Sequence, residues 1–135
     1  MSGAGSLATR TRSRVTSRAT SRATTTIRWV LRLAALAQIA LGVLFWTGHA
    51  AALTPVHMAV GTLFVFALWF LAVLAARGGG GWKAATMLTT GGLLVAWLGM
   101  VQRTLIPGPQ HWIVRVAHLG VGVLALALAE WLAPR

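Results

Sequence analysis

Cysteine is absent from this chain, and aspartate and glutamate together contribute a single residue, Glu130. Without thiols there is no disulfide, no iron–sulfur cluster and no thiolate ligation of a metal. One acid against 12 Lys and Arg, with 57% hydrophobic residues, also excludes a soluble core wrapped in mixed charge. What is present instead is apolar sequence in runs long enough to cross a bilayer, which takes about 20 residues. Four such runs cover residues 33–53, 55–76, 84–102 and about 111–133. So little chain is left over that any site must lie within or between helices.

The net charge of +11 invites a nucleic-acid reading, but the arginines are placed otherwise. Arg10, Arg12, Arg14, Arg18, Arg22, Arg28 and Arg32 all precede or open the first apolar run. The positive-inside rule uses them to hold the N-terminus in the cytoplasm, and it places the Arg77 to Lys83 loop there too. The first connection, near His49 to Thr54, has no Lys or Arg and is expected outside, while Arg103 and Arg115 flank the third. Arg135 returns the C-terminus inside. The expectation is an all-α, multi-pass protein of a bacterial inner or plasma membrane, a four-transmembrane-helix up-down bundle with both termini cytoplasmic. Its helices are placed at about 28–52, 55–76, 83–103 and 110–133 in a domain spanning 27–135. No nucleic-acid partner is expected.

Residues 1–26 are Ser, Thr, Ala, Gly and Arg with almost nothing to bury, and are expected to be a disordered basic tail or to lie on anionic lipid headgroups. An organellar transit segment shares this composition but calls for a clear amphipathic period, which is lacking. The apolar run that follows is long enough to span, so it reads as a retained helix rather than a cleaved signal.

The breaks are well marked. Thr54 and Pro55 suit a helix start, glycines between Arg77 and Trp82 make a flexible turn, and Pro107, Gly108 and Pro109 interrupt the chain before the fourth helix. Trp29, Trp82 and Trp131 are expected at the inner interface and Trp112 at the outer one. Trp46, Trp69 and Trp97 lie deeper, to line a large planar ligand or to pack against lipid and neighbouring helices. Gln38, Thr89 and Thr90 are polar groups inside helices, suited to hydrogen bonds across the bundle.

A faint internal repeat runs through the chain. The stretches from Gly42 to Trp46 and from Gly92 to Trp97 are similar, and each is followed by an outer loop and a helix carrying His-x-x-x-Gly: His57 with Gly61, and His118 with Gly122. Two parallel helical hairpins related by an approximate axis along the membrane normal would bring His57 and His118 to equivalent positions. A histidine in apolar sequence is costly without a partner, and two equivalent ones suggest a shared partner. The expectation is one haem b, its iron bound by His57 and His118 on opposite faces. Gly61 and Gly122, four residues on, leave open surface beside each imidazole. Arg115, three residues before His118, is the foremost candidate for the propionates, followed by Arg103, His111 and His49.

The stretch from Gln38 to Gly42, a short outer loop and then His57 opening the next helix resemble a half-module of the haem A synthase family. Arg115 and His118 are of the same style, and the architecture over residues 30–133 is similar to small cytochrome b561-type proteins. The resemblance implies histidine haem ligation by His57 and His118 in a four-helix bundle. The chain lacks a second bundle, so electron transfer or haem handling is expected rather than substrate turnover.

Other readings stay open. His49 and His111 also suit ordinary interfacial residues, as does His57 near its helix start. His118 also suits a helix–helix hydrogen bond, and glycines at helical spacing also serve close packing. Glu130 raises a transport reading, although its place beside Trp131 fits the inner interface. A non-catalytic accessory subunit is the remaining class, packing the small-residue face around Ala34, Ala37 and Leu41 against a larger respiratory-type complex or a second copy.

Overall fold

In a computed structural model, residues 3–48, 50–78 and 81–133 are described, with side chains from residue 19 onward. Four helices account for nearly all of it: α1 (Gly3–Trp46), α2 (Thr54–Arg77), α3 (Gly81–Val101) and α4 (His111–Leu132), with a 3-10 turn at Ala51–Leu53 before α2. Segments of all four are long and apolar enough to cross a membrane: Ala19–Trp46, Ala51–Arg77, Gly81–Val101 and His111–Leu132. The chain is an all-α, multi-pass membrane protein.

Helices satisfy their own backbone polar groups, which is the condition for residing in hydrocarbon. The outer surface meets the other condition: Leu33, Leu36, Phe66, Phe70, Leu93, Leu94 and Leu124 are all exposed. Burying them in lipid removes the cost that water would impose.

The connections follow local chemistry. Gly48, at φ 77, takes the left-handed conformation and ends α1 at Trp46, short of the 52 expected from hydropathy. Pro55 stands in the first turn of α2, and the Thr54 hydroxyl donates to the Ala51 carbonyl at 2.8 Å. Between α3 and α4 the chain turns through Gly108 at φ 95 and Ile106 at φ 45.

At its other end α1 runs back to Gly3, across a segment that composition marked as a disordered tail. No proline interrupts it, and the adjoining spanning helix supplies the nucleus that an isolated segment lacks. Threonine hydroxyls are absorbed by the helix itself: Thr24 and Thr25 each donate to the carbonyl four residues back, at 3.0 Å. At 44 residues, α1 is far longer than a bilayer requires.

Packing is uneven along the bundle axis. The apolar core gathers Leu31 and Ala34 of α1, Leu68, Leu71 and Ala75 of α2, Ala84 and Leu88 of α3, and Ala125 and Ala129 of α4. These positions lie toward the end that carries the α2–α3 turn and the C-terminus of α4. Alanines there let the helices approach closely. Toward the opposite end, where α1 joins α2 and α3 joins α4, the interior is instead polar.

Candidate functional site

All four helices contribute to that polar interior. His57 sits in the first turn of α2, and His118 two turns into α4. Their imidazole centroids are 6.4 Å apart with the ring planes at 52°. Phe45, near the end of α1, meets the His57 ring edge-on at 5.2 Å. From α3 comes Gly99, where an added Cβ would lie 3.4 Å from His118 Cε1.

Gln38 of α1 closes the cluster from below. Its Nε2 donates to the His57 backbone carbonyl at 2.6 Å. The amide keeps this place because position 61 is glycine: a Cβ there would stand 2.6 Å from that nitrogen, and the flexible side chain would have to swing aside. Gly61 therefore leaves room for the Gln38 amide. Gly122 differs: a Cβ there would meet nothing within 4 Å. The two matching His-x-x-x-Gly tags thus have unequal surroundings.

Three side-chain atoms of this cluster are buried without a hydrogen-bond partner: Gln38 Oε1, His57 Nδ1 and His118 Nδ1. Leaving a buried polar atom unpaired costs about 1–3 kcal/mol. Three such atoms together mark a place where hydrogen bonding is incomplete in this arrangement. No set of three or more His, Asp or Glu side chains converges among the described residues, so this is not a closed protein-only metal cage.

A bis-imidazole iron site places ring centroids about 6 Å apart, made up of two metal–nitrogen bonds of about 2 Å and the half-widths of the two rings. The observed centroid separation is close to that length. Porphyrin brings four nitrogens of its own, so two histidines are the whole protein contribution to such an iron.

The remaining candidates stand at the margin. Arg115 and Arg103 are exposed, the first one turn before His118 and the second just beyond α3. His111 Nδ1 lies 3.3 Å from the Leu105 carbonyl, tying the α3–α4 connection to the start of α4. His49 lies outside the described residues. Trp46 and Trp97 are half-exposed on the outer surface. Trp69 packs across the α2–α3 seam, where its Nε1 donates to the Thr89 carbonyl at 3.3 Å.

Glu130 lies far from this cluster, near the end of α4. It binds Arg32 through two hydrogen bonds of 2.8 Å and also accepts from Arg28. Arg32 in turn stacks over Trp29, 5.1 Å from the ring centroid.

No family model, curated protein or solved structure matches this chain.

Proposed function

We propose that the protein is a membrane-embedded haem b protein in which His57 and His118 are the axial ligands, serving electron transfer or haem handling without substrate turnover. The observation that carries this reading is the pair of imidazoles that α2 and α4 bring together, their centroids 6.4 Å apart and their ring planes at 52°. A bis-histidine haem supplies one-electron transfer with no open iron position. The chain's residues do the rest: α2 and α4 each present one imidazole, and Phe45 and Gln38 hold the His57 side of the pair. Arg115 and Arg103 offer cationic charge at the same end, suited to propionates. The resemblance of the segments around Gln38, His57 and His118 to haem A synthase half-modules and cytochrome b561-type bundles favours the same ligands.

Membrane lipid surrounds the bundle in this reading, in the inner membrane of a bacterium with both termini cytoplasmic. A second copy or a larger respiratory-type complex is the partner class. Glu130, the residue that raises the transport alternative, has its oxygens engaged by Arg28 and Arg32 at a helix end.

Titration of haem into the detergent-purified apoprotein tests the proposal. Saturation at one haem per chain, with a sharp low-spin Soret band, is the expected result. A folded protein that leaves haem in its free spectral form would overturn it.

A further inference from the structure

Gln38 has an unfinished hydrogen-bonding account. Its amide cannot be turned end for end, because that would set its oxygen against the His57 carbonyl oxygen at the 2.6 Å now spanned by a hydrogen bond. The nitrogen is therefore committed to the backbone of His57, and Oε1 is left as a buried acceptor without a donor. His57 Nδ1 is equally buried and equally unpaired. An amide oxygen only accepts, whereas an imidazole Nδ1 donates in one of its two neutral tautomers. The Gln38 amide is already seated against the His57 backbone, and the imidazole turns about a broad, weakly restricted terminal torsion, so ring rotation is the adjustment that joining them calls for.

We propose that Gln38 is a positioning residue for His57: Oε1 accepts the Nδ1–H of the imidazole and holds the ring in that tautomer, leaving Nε2 bare to bind a metal. Ligating histidines generally donate their second ring N–H to an oxygen, which fixes the ring and makes the ligating nitrogen more basic. In this bundle the oxygen comes from a different helix, α1, and reaches α2 because Gly61 has no side chain. The functional consequence rests on the haem reading. The tautomer itself belongs to the chain with nothing bound.

The experiment uses the full chain in detergent, prepared free of haem and labelled with 15N-histidine, at a pH where the imidazoles are neutral. Long-range proton–nitrogen correlation then reports which ring nitrogen carries the proton, with His57→Ala assigning the signals. The wild type is expected in the Nδ1–H form at His57. Gln38→Leu removes the acceptor, and Gly61→Ala displaces it independently by crowding the amide nitrogen. Both shift His57 toward the Nε2–H form. Gly42→Ala, whose Cβ would meet nothing within 4 Å, changes nothing. A wild-type Nε2–H tautomer, or one indifferent to both Gln38→Leu and Gly61→Ala, overturns the assignment.

Haem-loaded samples separate this proposal from the one beneath it. Loss of the Gln38 acceptor makes Nε2 a weaker donor to iron, so the midpoint potential of Gln38→Leu shifts upward relative to the wild type. A tautomer shift in a protein that binds no haem leaves Gln38 as assigned and removes the haem reading. Haem binding with an indifferent tautomer and potential does the reverse.

Discussion

Glu130 and Arg32 are joined by a two-pronged ion pair, with Arg32 Nε on one carboxylate oxygen and an Nη on the other, both at 2.8 Å. Arg28, one turn earlier on α1, binds the same carboxylate. The only acid in the chain is thus a clasp between the first and last spanning helices. The carboxylate and both arginine side chains remain partly exposed, which limits what the clasp contributes. Replacing Glu130 by Gln removes the charge and one acceptor, leaving two arginines facing each other. The expected effect is a small fall in the unfolding midpoint, because the site is largely solvated. Thermal unfolding in detergent checks this, and an unchanged midpoint would show that the clasp contributes nothing.

Adjacent glycines on α3 face different neighbours. A Cβ at position 92 would stand 2.6 Å from Trp69 Nε1 and 3.0 Å from Cδ1, whereas one at position 91 would make ordinary contact with Ala125 Cβ at 3.8 Å. Gly92→Ala must push the indole away from the Thr89 carbonyl and is expected to cost roughly 1–3 kcal/mol through overpacking. Gly91→Ala is expected to be neutral. Equal melting temperatures for the two variants would contradict the α2–α3 seam described here.

Ile106 carries a positive φ of 45° in the α3–α4 connection, a conformation that a β-branched side chain adopts at a cost. Glycine at this position relieves about 1–2 kcal/mol of backbone strain and gives back about 0.5–1 kcal/mol through greater unfolded-chain freedom. Ile106→Gly should therefore raise the unfolding midpoint slightly. A lowered midpoint would mean that the side chain contributes more by packing than its backbone conformation costs.

The four spans were legible from hydropathy because lipid-facing and buried positions are both apolar, so each helix reads as one uninterrupted run. The same property hid the faces: nothing in an all-apolar helix tells Gly91 from Gly92. The helical course of α1 back to Gly3 was also hidden, since composition reports what a segment can bury, whereas here helix propagates from an adjoining span. His57 and His118 stood out by their cost in apolar sequence and by their repeated spacing. Gln38 stood out as a polar residue inside a helix, but its target did not, because the carbonyl it reaches belongs to a residue 19 positions away. Gly61 looked equivalent to Gly122, and only the approach of α1 separates them. The pairing of Glu130 with Arg28 and Arg32, about a hundred residues distant, had no sequence signal beyond the scarcity of acids.

A reduced-minus-oxidised visible spectrum of protein purified after expression with ample haem tests most directly whether His57 and His118 hold a haem as proposed. The wild type is expected to show sharp α and Soret bands, and His57→Ala and His118→Ala, at matched expression and with retained folding, are each expected to lose them. A colourless, well-folded wild type, or bands that survive both substitutions, would contradict the proposal.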